Sequence, residues 1–304
     1  MKVQLLVILL ILFSCDNDEE SKKSPPFITA KNVITLTPEI NGGTGGLAVD
    51  DSGNIYIGDF GPDLNGGGDK VFKVSPEGNV SIFAQGLFGA SGNQFDSQGN
   101  LYQSNISASR ISKITPDGQV STFVESGLVQ PVGIAIDKDD NLYVCNCGNN
   151  TIQKVTPAKV STLFASSSLF NCPNGIALAD DGNLYVANFV GGKVLRVSPG
   201  GSVSSFVTIV GSNNGHITYF EGNLYVAARG ANRIYGVSLS GTIKLIAGDG
   251  SRGVKDGPAL NSGFSLPNDL AFSQDGKYMY VNDAVSTTGA TVINPMVLRR
   301  IELK

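Results

Sequence analysis

GIALADDGNLYVANF, residues 175–189, joins two short apolar runs through a polar turn and reads as a β-hairpin. A lone hairpin cannot keep its apolar faces out of water. The chain answers by repeating it: GLAVDDSGNIYIGDF begins at Gly46, GNQFDSQGNLYQSNI at Gly92, GIAIDKDDNLYVCNC at Gly133, GHITYFEGNLYVAAR at Gly215 and DLAFSQDGKYMYVNDA at Asp269. The six copies are spaced 46, 41, 42, 40 and 54 residues apart, the span of a four-stranded propeller blade.

Each unit can be written as four strands. In the third, strand A is Gly133 to Ile136, B is Asn141 to Val144, C is Thr151 to Val155 and D is Val160 to Leu163, with turn-rich tetrapeptides between A and B and between C and D. A basic column at strand C (Lys73, Lys113, Lys154, Arg196, Arg300) fits half-exposed outer strands, where lysine discourages edge pairing. The sixth unit ends at strand C, near Leu298 to Ile301, and Val33 to Leu36 ahead of the first hairpin matches the missing strand D. The expectation is an all-β, six-bladed propeller over residues 30–304, closed by the N-terminal strand as the outer strand of the last blade. Glycine opens most units and Ala48, Ala135 and Ala177 follow, because inner strands converging on an axis need small residues.

Ahead of the repeats, Lys2 and the apolar run Val3 to Phe13 read as a secretory signal, since eleven residues cannot cross a bilayer that needs about 20. Leu12-Phe13-Ser14-Cys15 resembles the lipobox of bacterial lipoproteins. That resemblance implies a signal peptide over 1–14, lipidation of Cys15 and an acidic, proline-containing tether over 15–29. An ordinary signal peptide with an incidental cysteine is the alternative. The acidic run Asp16 to Glu20 resembles a surface-export signal, so the domain is expected to be exported and lipid-anchored at the outer membrane or cell surface, with the periplasmic side left open. With 22 basic against 26 acidic residues and no basic cluster, nucleic acid is excluded as a partner, and a monomer is expected.

Strands A and B run antiparallel, so the start of A and the end of B share one face at the mouth of the axial channel. Asp59, Asn105, Asn146, Asn188, Ala228 and Asp283 end the B strands; Gly45, Ser91, Val132, Asn174, Asn214 and Asn268 precede the A strands. No cofactor is fixed by this pattern, but the oxygen-rich collar suits calcium, with Asn174, Asn214, Asn268, Asp59 and Asp283 as candidate ligands. Asn105, Asn146, Asn188 and His216, the single histidine, are candidates for a ligand-binding rim. The competing reading is that short Asn and Asp side chains satisfy turn backbone at every blade. Cys147 ends a B strand and Cys172 precedes the next A strand on the same face, which predicts a disulfide in an oxidising compartment and leaves Cys145 as a buried thiol.

Ala247-Gly248-Asp249-Gly250 through Gly253, Asp256-Gly257, Phe264 and Pro267, followed by a strand, resembles the long inter-blade loop of the NHL-repeat six-bladed propellers. More distantly, Pro173-Asn174-Gly175 with its hairpin is similar to the gluconolactonase and senescence-marker-protein family. The second resemblance implies calcium-dependent lactone hydrolysis, with Asn174 at the position of an asparagine ligand and Asn214 roughly at that of an aspartate acting as ligand and base. The acidic ligand of that family's first repeat has no counterpart in Gly42-Gly43-Thr44-Gly45. Two readings follow: a binding module presenting its collar to a protein, glycan or small molecule, and a divalent-metal-dependent hydrolase of lactones or esters working at the same place.

Overall fold

A repeated aspartate builds the turn between strands A and B. Asp50 Oδ1 accepts the N–H groups of Ser52 (2.9 Å) and Asn54 (2.8 Å), while the Tyr56 hydroxyl donates to Oδ2 at 3.0 Å. Asp137 repeats this with Asp139, Asn141 and Tyr143, and Asp96 holds Gln98 and Asn100 in the same way. A carboxylate that accepts several N–H bonds fixes a tight turn without help from the rest of the sheet. Farther out, the tyrosine ring meets the phenylalanine of strand D edge-on: Tyr56 with Phe83 at 4.8 Å, Tyr102 with Phe123 at 4.8 Å, Tyr143 with Phe164 at 4.9 Å. The basic column lies over these rings, with Lys73, Lys113 and Lys154 above Tyr56, Tyr102 and Tyr143 and Arg300 above Tyr278. Each such contact contributes about 0.5–1 kcal/mol at exposed sites.

The computed structural model describes residues 25–62, 66–285 and 294–304. The signal segment 1–14, Cys15 and the tether up to residue 24 lie outside the described residues. Among the described residues, six antiparallel sheets form the ring expected from the repeats. Blade one comprises Leu47–Val49, Ile55–Gly58, Lys70–Val74 and Val80–Gln85; blade three comprises Pro131–Ile136, Leu142–Asn146, Thr151–Val155 and Ser161–Ser166. Strand D of blade three extends three residues past Leu163 because the register slips between Ile152 and Gln153, and the same bulge recurs between Val71 and Phe72 and between Ile111 and Ser112. A bulge adds twist, which suits an outer strand lying across its neighbour.

Closure is by the N-terminal strand. Ala30–Thr35 pairs antiparallel with Met296–Leu303, Val33 standing opposite Ile301, and Leu36 N–H bonds Leu298 O at 2.8 Å. The structure adds a fifth strand here: Gly257–Pro258, from the long inter-blade loop, pairs with the outer edge of Ala30–Thr35. Arg299, fully buried, holds that loop down by donating to Gly263 O (2.8 Å) and Asp256 (3.0 Å), with its guanidinium over the Phe264 ring. Pro25 to Thr29, the end of the stretch read as tether, lie against blade five, where Asn223 donates to Pro26 O and Ile28 N–H bonds the Tyr225 hydroxyl.

Between neighbouring blades the apolar residues of both faces interlock. Ile55, Ile57, Val74, Met296 and Leu298 close the seam between blades six and one. Sheets buried on both faces carry this kind of unbroken apolar run. At the axis the strands come closer than a side chain permits: a Cβ on Gly133 would lie 2.3 Å from Asn174 O, and one on Gly215 would lie 2.0 Å from Asn268 O. Backbone hydrogen bonds cross these seams, from Gly46 N to Ser91 O and from His216 N to Asn268 O, both at 2.6 Å. The predicted disulfide joins Cys147 to Cys172, 25 residues apart, and contributes about 3 kcal/mol in the chain-entropy description. Cys145 is fully buried, and burial pushes its thiol pKa up.

Candidate functional site

The residues that end the B strands clamp the loops leading into their own blades. Asn105, Asn146 and Asn188 accept N–H groups of Phe88, Val129 and Asn171 at 2.9, 3.1 and 3.2 Å. Asn146 and Asn188 also donate to Gly127 O and Leu169 O, both at 2.9 Å. At the same position Asp59 accepts from Gly61 and Gly43, and Asp283 accepts from Ser265 and Leu266. Burial raises the pKa of both carboxyls, that of Asp283 to about 6, against the opposing pull of these N–H donors and, for Asp283, of Arg299. All five side chains therefore serve backbone groups, the task the competing reading gave them.

Blade five departs from this pattern. Its B strand, Asn223–Ala228, ends in alanine, and the next residue, Arg229, opens a single 3-10 turn. Arg229 is 6% exposed and lines the channel mouth, its Nη1 donating to Asn268 Oδ1 at 3.2 Å. Burial lowers its pKa to about 10, opposed by attraction to Asp283 and assisted by repulsion from Arg252, so it remains cationic at neutral pH. Sequence reasoning missed Arg229. The signal was the break itself, Ala228 in a column of Asn and Asp.

Arg229 forms part of a mouth pocket of about 160 Å³. Phe60, Ile106, Val132 and Phe189 supply an apolar wall beside the disulfide, while Thr44, Ser91, Asn174, His216 and Asn268 bring polar groups. Of the sequence candidates, the pocket gathers Asn174, Asn268 and His216; Asp59, Asp283, Asn105, Asn146, Asn188 and Asn214 lie outside its lining. Asn268 donates to Thr44 O (2.8 Å) and Gly45 O (3.1 Å), and the amide of Asn214 donates to Lys193 O at 3.4 Å. The loops that follow the B strands of blades one and six, 61–69 and 285–295, are only partly described: 63–65 and 286–293 lie outside, while Asn294 accepts from Gly42 N at 2.7 Å.

His216 sits one residue ahead of the described strand Ile217–Phe220 rather than inside it. It borders both the mouth pocket and a second cavity of about 140 Å³ deeper in the channel. There its Nδ1 is 3.6 Å from Asp269 Oδ2, and that carboxylate also accepts Leu47 N–H at 2.8 Å. Burial raises the Asp269 pKa, against the pull of His216. A larger hollow of about 740 Å³ opens on the opposite face among the A–B turns, lined by Asp51, Phe95, Tyr219 and Phe272, away from every candidate residue.

The donor set at the mouth does not suit a hard dication. Calcium takes 6 to 8 oxygen ligands at roughly 2.3–2.6 Å. Here the nearby carboxylates hold backbone N–H groups, Asn268 Oδ1 accepts from a guanidinium, and a fixed positive charge stands in the collar. Among the described residues no three His, Cys, Asp or Glu side chains cluster as metal ligands.

Fold and site together define a six-bladed propeller with a small, positively charged pocket at one end of its axial channel. The Virginiamycin B lyase family model matches residues 65–252, more than half of the chain, and the chain belongs to that family. Among solved structures it is similar to selenomethionine-substituted virginiamycin B lyase from Staphylococcus aureus, with 16% identity, TM-score 0.64, and 90% of this chain and 98% of that one covered. It is also similar to a gluconolactonase from Xanthomonas campestris (16% identity, TM-score 0.68, 93% and 96% covered) and to an auxiliary nutrient binding protein from Bacteroides ovatus (13% identity, TM-score 0.71, 91% and 77% covered). At these identities the likeness shows the fold alone. No curated protein matches the chain by sequence.

Proposed function

We propose that the chain is an exported, membrane-anchored binding module that takes a small ligand into the channel mouth. The observation that carries this reading is Arg229, a buried cation in the lining of a pocket whose other walls combine apolar side chains with hydroxyl, amide and imidazole groups. Ligand sites combine a mostly apolar wall with a few fixed polar groups in this way. The anchor rests on the sequence alone, through Lys2 to Phe13 and Cys15.

A second reading, a hydrolase or lyase at the same mouth, has one observation in its favour: within a lyase family, His216 lines the pocket and pairs with Asp269 in the deeper cavity. Against the calcium-dependent lactonase form stand the amide at Asn214 where a base is needed and the cation at Arg229. Metal analysis of the purified chain, with thermal shift on adding calcium, separates the readings. The binding module is expected to carry no stoichiometric metal and to show no shift; tight one-to-one calcium with a raised melting temperature overturns it. Incubation with quinupristin, expected to leave that compound unchanged, tests the lyase form.

A further inference from the structure

Resting on the mouth-binding reading, we infer that the ligand is a small amphipathic carboxylate, its anionic group held between Arg229 and Thr44 and its apolar body laid against Phe60, Ile106, Val132 and Phe189. Three observations carry it. Among the described residues no carboxylate lies within ion-pair distance of the Arg229 guanidinium, and its one side-chain acceptor is the neutral amide oxygen of Asn268 at 3.2 Å. A buried guanidinium has five donors in a planar fork, and one neutral acceptor leaves most of them for an incoming group.

The second observation is Thr44. It is 4% exposed, lines the same pocket, and its Oγ1 has no hydrogen-bond partner. Leaving a buried hydroxyl unsatisfied is destabilising, and a ligand oxygen at this spot relieves that cost. Its neighbour Asn268 joins the two, since its amide nitrogen donates to Thr44 O while its oxygen receives Arg229. The polar edge of the pocket is thus a set of donors: a guanidinium, a hydroxyl and no free anion.

Third, the nearby negative charge is already engaged. Asp283 faces Ser265 N, Leu266 N and Arg299, and Asp59 faces Gly43 N and Gly61 N. A ligand cation would meet Arg229, and the nearest offsetting carboxylate, Asp283, is already held by Arg299 and two backbone N–H groups. A carboxylate would supply the missing counter-charge in a setting drier than bulk water, where charge-assisted, bidentate pairing is strongest. The 160 Å³ volume admits one ring or a short chain, as liquid water fills about 30 Å³ per molecule.

The test uses the purified full chain and matched probes: phenylacetate, phenylacetamide and 2-phenylethylamine, with hexanoate, hexanamide and hexylamine as the aliphatic set, each titrated by ligand-observed NMR. Both carboxylates are expected to bind at least tenfold more tightly than their amides, and the amines not at all. Arg229→Gln should reduce the carboxylate advantage to within twofold, Arg229→Lys should keep part of it, and Thr44→Val should weaken the carboxylates several-fold while sparing the amides. Thr44→Val changes little in shape, so it remains informative if Arg229→Gln fails to fold. Equal affinity for acid and amide, or a preference that survives Arg229→Gln, overturns the inference while leaving mouth binding intact. If no probe of any charge binds, the inference and the reading beneath it fall together.

Discussion

Gly215→Ala probes the axial seam on which the ring depends. A methyl group at Gly215 would lie 2.0 Å from Asn268 O, with Asn268 C at 2.8 Å and its Cα at 3.0 Å. Ordinary contact begins near 3.4 Å, so blades five and six must part by more than 1 Å at this point. The obstacle is backbone and cannot rotate aside. Overpacking of this kind costs about 1–3 kcal/mol, occasionally more. Parting the strands also strains the 2.6 Å bond from His216 N to Asn268 O, one backbone hydrogen bond worth about 1 kcal/mol. The expected loss is about 2–4 kcal/mol.

Gly86→Ala provides the control. Gly86 has φ +87° and nothing within 4 Å of a Cβ, so its alanine variant suffers conformational strain alone, about 1–2 kcal/mol. For a domain of this size 1 kcal/mol moves the melting temperature by about 2 °C. Calorimetry should therefore place Gly215→Ala about 4–8 °C below the parent and Gly86→Ala about 2–4 °C below it. A Gly215→Ala protein that melts no lower than the control refutes the claim that backbone crowding at the axis requires glycine.

Two further perturbations test closure and charge. Deleting residues 30–38 removes the strand that pairs with Met296–Leu303 and should lower the melting temperature far more than deleting the equally long stretch 16–24; equal losses would deny the strand its closing role. Asp283, raised from 3.8 to about 6 by burial, binds its proton more tightly folded than unfolded, so its contribution to stability is full below about pH 4 and is lost as pH rises to about 6. Asp59 and Asp269 shift in the same direction, so the quantity to read is the difference between parent and variant. Denaturant titrations at several pH values should show Asp283→Asn flattening that decline by up to about 3 kcal/mol, and an unchanged pH profile would contradict the assignment.

What the sequence determined by itself was everything that repeats. The aspartate turn, the Tyr–Lys–Phe ladder and the axial glycine recur at fixed offsets because each blade solves the same local problem, and a periodic solution leaves a periodic trace. Even the closure was legible, since a missing strand at one end and a spare strand at the other have one economical resolution, and the disulfide followed from the channel-mouth face that the end of one B strand shares with the start of the next A strand. The candidate site was legible only in outline. The collar was located, but its Asn and Asp side chains proved to be committed to backbone: in blades two, three, four and six each accepts the N–H of a residue 17 positions upstream, and a backbone N–H leaves no residue-type signature in the sequence. Arg229, where other copies carry Phe60, Ile106, Cys147 and Phe189, and Thr44, just ahead of the first copy, follow no periodic pattern and stand 185 residues apart in sequence. Only the closed ring, which sets blade five and the approach to blade one on either side of Asn268, brings that cation and that unpartnered hydroxyl into one pocket.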